Sequence, residues 1–200
     1  MDFSSAVTSQ SEWTIQWHRS EPAVVAAGML GLIEENHLHN FLLWHEEDTA
    51  RRDDLGSEAV HRAKRTIDRH NQVRNDCIER MDVALAGELP AALPETPLHS
   101  ETPGMILDRL SILALKEYHM HEECLRATAT EAHRTACAGK LAVIQRQRAD
   151  LAGCLGALMA DLLAGRRCFA VYRQFKMYND PALNPQLYNT VGPSLVQSQK

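Results

Sequence analysis

Leu141, Ile144, Arg148, Leu151, Leu155, Leu158 and Leu162 follow one another at unbroken intervals of three and four residues. That spacing keeps one stripe along one side of a helix. In a strand, where side chains alternate faces at every residue, the same leucines would scatter. A chain with such a seam must bury a long helix against other helices. Gly153 and Gly156 lie within it, each costing about 1 kcal/mol relative to alanine. They predict the close approach of a neighbouring helix. Gly165 stands where a C-terminal cap belongs.

Three further helices follow from the same periodicity. The first runs from about Pro22 to Arg52, with proline at the first turn. The second runs from Ser57, an N-cap residue, to about Ala86, with Gly87 as its stop. The third begins at Thr102-Pro103 and reaches about Arg126. Thr128 or Thr130 caps the seam helix. A short fifth helix, about Arg166–Tyr178, precedes the turn Asn179-Asp180-Pro181. Pro90, Pro94 and Pro97 exclude helix from the linker Leu89–Glu101. No segment carries sustained period-two patterning, and no internal repeat is present. The expected fold is all-α: an antiparallel bundle of four long helices with a short C-terminal helix and a capping segment. One domain is expected over residues 13–188, between flexible tails at 1–12 and 189–200.

Charge narrows the partners. The 21 Lys and Arg against 26 Asp and Glu leave a formal net charge of −5, which argues against a general grip on nucleic acid or anionic lipid. The longest uncharged apolar run, Pro22–Ile33, is shorter than the roughly 20 residues a bilayer needs. The first residues carry no signal-peptide pattern. The five cysteines form no CxxC pair and read as reduced thiols of a cytoplasmic protein.

The informative feature is where the buried stripes turn polar. The first helix reads Leu30, Ile33, His37, Asn40, Trp44, Glu47, Arg51, with Asp48 on the adjacent row. The second sets Lys64, Asp68, Asn71, Asn75 and Asp82 on the shoulder of its apolar face, with Arg74 on the face itself. The third carries Asp108, Arg109, Lys116 and His119 inside a broad apolar band. Charge on a face that packing should bury is expensive unless it is paired. A long side chain at a stripe's edge, reaching outward to water, explains any one of these. The same interruption on three helices predicts one shared polar cluster.

Known catalytic signatures are mostly lacking. Glu34-x-x-His37 and Glu58-x-x-His61 have the spacing of di-metal bundles, but both glutamates sit off the polar stripes. Asp48, Asp68 and Asp82 are candidate ligands for a hard cation such as Mg²⁺. Glu79-x-x-Asp82 matches only half of a helical pyrophosphatase signature. Ser111 has no base beside it in the sequence, which gives a hydrolase triad little support. No glycine-rich phosphate loop is present. Arg51, Lys64, Arg74, Arg109, Lys116, Arg173 and Lys176 are candidate anion clamps.

Four stretches carry a resemblance: NFLLWHEEDTAR (Asn40–Arg51), AKRTIDRHNQVRND (Ala63–Asp76), ETPGMILDRLSILALKEYHM (Glu101–Met120) and YRQFKMYNDPALNPQLY (Tyr172–Tyr188). Together they resemble a bacterial family known as domain of unknown function 4254. The resemblance implies a helical protein of about this size, and no established activity. It also implies an association with sugar transfer and cell-surface polysaccharide genes. The motif positions include most of the stripe residues above, together with Tyr172, Arg173, Lys176, Tyr178, Asn179, Asp180 and Asn184.

The expected function is the binding of a phosphorylated small molecule, such as a nucleotide or nucleotide-sugar, in an internal polar site with Mg²⁺ as a candidate partner. Phosphoester hydrolysis or transfer fits such a site best. Asp48, Asp68 and Asp108 are the catalytic candidates. Asn40, Trp44, Glu47, Arg51, Lys64, Asn71, Arg74, Asn75, Arg109, Lys116, His119, Arg173 and Lys176 are the binding candidates. The alternative is a non-catalytic helical module whose C-terminal segment docks on an envelope-biosynthesis enzyme. A homodimer through the seam is a further alternative to packing of the seam within one chain.

Overall fold

The computed structural model describes residues 3–173 together with Ala182 and Leu183. Five α-helices account for most of it: α1 (Ser4–Trp17), α2 (Gly28–Ala50), α3 (Ser57–Glu88), α4 (Pro103–Leu125) and α5 (Glu131–Leu163). A single 3-10 turn, Asp53–Leu55, joins α2 to α3. The α2–α3 and α4–α5 pairs form two helical hairpins, and α4 also packs on α1, α2 and α3. None of the described helices is long and apolar enough to cross a membrane.

Several ends have a direct chemical cause. Thr102 accepts a hydrogen bond from the Met105 N–H at 3.2 Å, and proline fills the first position of α4. Thr130 caps α5 in the same way through His133. Gly56, at φ +80°, occupies the cap of α3, so Ser57 is the first helical residue rather than the cap. Gly165, at φ +68°, follows the end of α5. Its left-handed backbone turns Arg166 back so that its N–H reaches the Asp161 carbonyl.

The seam lies inside the chain. Leu155, Leu158 and Leu162 join Ile33, Met81, Leu85, Ile106, Leu107 and Leu110 in the main core. Gly153 and Gly156 do not mark a close approach, since a Cβ at either position would meet nothing within 4 Å. The close approach is at Gly104, where a Cβ would lie 2.7 Å from Asp82 Oδ1 and 2.8 Å from the Ile78 carbonyl. There α3 and α4 nearly touch, and the buried Asp82 carboxylate accepts the Gly104 N–H at 2.8 Å.

Three segments differ from expectation. Residues 4–12 are not a tail. They belong to α1, which buries Ala6, Gln10, Thr14 and Trp17. Residues 22–27 are extended rather than helical. The buried Glu34 carboxylate holds them by accepting the Val25 and Ala26 N–H groups at 2.9 and 2.7 Å. Residues 166–173 are not helical. The chain beyond Gly165 runs alongside the proline-rich linker instead, with the His99 N–H on the Cys168 carbonyl at 2.7 Å and the Cys168 N–H on the Pro97 carbonyl at 3.1 Å. This isolated bridge is the one β-type pairing among the described residues. The remainder of the expected fifth helix, the proposed cap through Asn184, and the tail at 189–200 lie outside the described residues.

Candidate functional site

A chain of buried polar side chains crosses the middle of the bundle, and its hydrogen positions follow from its partners. The Thr14 hydroxyl donates to the Gln10 carbonyl at 2.8 Å. Its oxygen therefore accepts from His37 Nε2–H at 2.9 Å. With its proton on Nε2, His37 accepts at Nδ1, and the donor is the Ser111 hydroxyl at 2.7 Å. Ser111 Oγ in turn accepts from Asn40 Nδ2 at 3.0 Å. The same amide nitrogen donates to Asp108 Oδ1 at 2.9 Å, beside Asn36 Nδ2 at 3.0 Å. Arg74 Nε lies 3.2 Å from that oxygen, a charge contact without the alignment of a hydrogen bond. From Thr14 to Asp108 each hydrogen bond has one donor and one acceptor, which is what burial requires.

This chain pairs Ser111 with a histidine, the partner that its sequence neighbourhood lacks. It is nevertheless no hydrolytic dyad. Both side chains are fully buried. Burial, with Arg148 nearby, pushes the His37 pKa down to about 3, too low for a general base near neutral pH. The third member is Thr14, where a triad needs a carboxylate. The rings of Trp13 and Trp17 pack against the imidazole at 6.0 and 5.3 Å.

Asn40 links this buried chain to an open cleft of about 420 Å³ between α2, α3 and α4, within the size range of small-molecule sites. Helix α2 lays Asn40, Leu43, Trp44, Glu47, Asp48 and Arg51 along it, α3 adds Asn71 and Arg74, and α4 adds Ile112 and Leu115. Helical spacing puts the α2 residues on one side of that helix. Trp44 is held by stacking on His119, with centroids 4.6 Å apart and planes 5° from parallel. Arg51 is paired with the Glu47 carboxylate at 2.9 Å. The lining combines an indole face, two guanidinium groups, two carboxylates and two amides. That set can stack a ring, hydrogen-bond a sugar or base, and contact phosphate directly or through a cation.

The expected site thus separates into parts. Asn40, Trp44, Glu47, Asp48, Arg51, Asn71 and Arg74 come together in the cleft, and Asp108 lies buried against Arg74 and Asn40. The Asp108 oxygen already accepts from Asn36 and Asn40 and faces Arg74 Nε, so it holds Asn40 and Arg74 in place. Lys64 and Asp68 pair with each other at 3.3 Å on the exposed part of α3, and neither lines the cleft, nor does Asn75. Arg109 pairs with Glu101 at 2.5 Å. With Lys116 it borders a separate depression against α5 that includes Gln147 and Asp150. His119 stands behind Trp44. Arg173 pairs with Glu79, and Lys176 lies outside the described residues. The cation set Asp48, Asp68 and Asp82 is not a site: Asp68 and Asp82 are fourteen residues apart on α3, about 21 Å of helix rise. Asp82 is also occupied by Gly104, and desolvation by burial raises its pKa to about 6.

Sequence reasoning left His37, Ser111, Asn36, Thr14 and Gln10 out of the site. His37 stands on the polar stripe of α2 and closes the Glu34-x-x-His37 spacing, and those were its visible signals.

A model of the family described as "Protein of unknown function (DUF4254)" matches residues 30–171. The match takes in α3, α4, α5 and nearly all of α2, so every described wall of the cleft falls within it, whereas α1 precedes it. No curated protein and no solved structure matches the chain.

Proposed function

The chain belongs to the DUF4254 family, which supplies no activity to inherit, and we propose from the cleft itself that the protein binds a phosphorylated small molecule of the nucleotide or nucleotide-sugar class. The observation that carries this reading is Trp44 beside Arg51 and Arg74 in one 420 Å³ cleft. An indole face stacks a base or sugar, and guanidinium groups are suited to phosphate oxygens. Asn71 supplies an amide for ribose or base edges.

Local charge adds a condition. Arg51 and Arg74 give +2, and Glu47, Asp48 and Asp108 give −3, a formal balance of −1. A phosphate entering this cleft is therefore expected to bring a divalent cation, with Mg²⁺ held by Asp48 and Glu47. Phosphoester hydrolysis or transfer is the reaction such a pair would serve, with Asp48 as its candidate carboxylate. The reading fits a bacterial cytoplasmic protein linked to cell-surface polysaccharide metabolism, in which nucleotide-sugars are the activated donors. The rival, a docking module built on Tyr172, Phe175, Met177 and Tyr178, has only Tyr172 among the described residues.

The test is a thermal-shift and calorimetric screen of nucleotides and nucleotide-sugars, each with and without Mg²⁺. Saturation at 100 times the dissociation constant adds about 2.7 kcal/mol of stability. Trp44→Ala should weaken binding by about 5- to 100-fold, the range of one lost ring stack. A screen in which no compound shifts the wild type, or in which Trp44→Ala binds equally well, rejects the reading.

A further inference from the structure

Three histidines from three helices meet behind Trp44. His18 caps the C-terminus of α1, His45 is on α2 and His119 on α4. One ring nitrogen of each lies within 4.8 Å of the other two. No pair of these residues is close in sequence, so the convergence is a product of the fold and has no motif.

The state of the ring nitrogens is the telling observation. His18 Nδ1 is 2.7 Å from the Thr14 carbonyl, which can only accept, so Nδ1 carries the proton. His119 Nδ1 is 2.9 Å from the Glu122 carboxylate and donates to it in the same way. In both rings Nε2 is then a bare lone pair. Both Nε2 atoms are buried and have no hydrogen-bond partner. A buried acceptor left unmatched costs about 1–3 kcal/mol, and here two belong to rings of one cluster. A carboxylate or carbonyl on one ring nitrogen, with the other nitrogen free, is the arrangement that orients a metal-binding imidazole.

The rings are also held in place. Tyr118 stacks on His18 at 4.1 Å, Trp44 stacks on His119 at 4.6 Å, and the Phe41 ring edge packs on His18 and His45. We propose that His18, His45 and His119 form a three-imidazole site for a divalent transition metal of the zinc class. Three histidines leave a coordination position for water or a ligand atom, as in catalytic zinc sites. Imidazole selects borderline ions such as Zn²⁺, Co²⁺ or Ni²⁺ over Mg²⁺, which demands oxygen. Binding would draw the nitrogens to about 3.3 Å from one another, the separation set by Zn–N bonds near 2.0–2.1 Å in a tetrahedron.

The other clustered donors make a weaker case. Glu123, His133 and Cys137 also lie within reach of one another. There, however, His133 Nε2 is already 2.9 Å from Glu123, and Arg126 holds the same carboxylate. The three-histidine site stands whether or not the cleft takes a phosphorylated ligand. Asp48 connects the two, since it lines the cleft and its charge acts on both His45 and His119.

The experiment is calorimetry with Zn²⁺, and Co²⁺ absorption spectroscopy, on the full-length protein after chelator treatment. One equivalent of Zn²⁺ should bind, and Co²⁺ should show the intense visible bands of a four-coordinate nitrogen site. His45→Ala should lower the affinity at least 100-fold. Glu122→Gln, an exposed change that leaves the fold intact, should lower it about 10- to 100-fold by exchanging the carboxylate that accepts from His119 Nδ1 for a neutral amide. Cys137→Ser should leave it unchanged. The proposal is overturned if the wild type binds no metal, if Glu122→Gln and His45→Ala both bind as tightly as the wild type, or if Cys137→Ser removes the site.

Discussion

Replacing His37 with glutamine turns the buried polar chain into a measurable pH dependence. Glutamine reaches about as far as histidine and keeps one donor for Thr14 and one acceptor for Ser111, but it does not titrate. In the folded protein His37 has its pKa lowered from 6.5 to about 3. Burial is the main cause. Below pH 6.5 the unfolded chain takes up a proton that the folded chain refuses. The stability from this neutral ring is therefore complete above pH 6.5 and is lost as the pH falls toward 3. Within that window the loss is about 1.4 kcal/mol per pH unit, or about 2 kcal/mol between pH 7 and pH 5. Asp82 acts in the opposite sense. Its raised pKa, about 6, makes folding more favourable as the pH drops from 6 toward 4, which masks the His37 effect in the wild type alone. Comparing the wild type with His37→Gln cancels Asp82 and every other shared group. Urea unfolding at pH 7, 6 and 5 should show the wild type losing about 2 kcal/mol more than the variant. Parallel stability curves, within 0.5 kcal/mol, would refute a neutral, proton-excluding His37.

Asp108→Ala removes the acceptor shared by Asn36 and Asn40 and the charge partner of the half-buried Arg74, and leaving the buried amide donors unmatched should cost about 2–4 kcal/mol in denaturant unfolding. A loss under 1 kcal/mol would mean that water takes its place. Gly153→Ala and Gly156→Ala each add a methyl group where nothing lies within 4 Å, and each should raise stability by about 0.5–1 kcal/mol. A lower melting temperature for either would mean that a neighbour packs there after all.

The long helices were legible because they bury apolar stripes at helical spacing, and because Thr102 and Thr130 cap them in the ordinary way. Helix α1 was not, although Trp13 and Trp17 stand one turn apart. Its buried face includes Gln10 and Thr14, which read as surface residues, and their buried partners are supplied by α2 and α4. The false helix after Gly165 has the converse cause. Its local pattern suits a helix, but the left-handed glycine and the pairing of Cys168 with the proline-rich linker redirect the chain. In the cleft, the polar positions of α2 were readable because 40, 44, 47 and 51 continue a buried stripe. On α3 the shoulder row mixes cleft residues with Lys64 and Asp68, which lie where that long helix is largely exposed. The three-histidine cluster was invisible to spacing, since its members come from three separate helices.

The position of α1 also constrains the order of assembly. It precedes the other four helices in the chain, yet Gln10 donates to the carbonyl of Leu107 and Arg148 donates to the carbonyl of Val7, contacts that close loops of 97 and 141 residues. Their entropic cost must be met before either contact contributes. During synthesis α1 can therefore cover only part of its face, Trp13 and Trp17 against α2, while α2 and α3 pair as a hairpin. Only when α4 and the first half of α5 have emerged can the chain close around it. A chain stopped before Arg148 should retain the α2–α3 hairpin but leave a sticky N-terminal helix, a natural recognition point for chaperones.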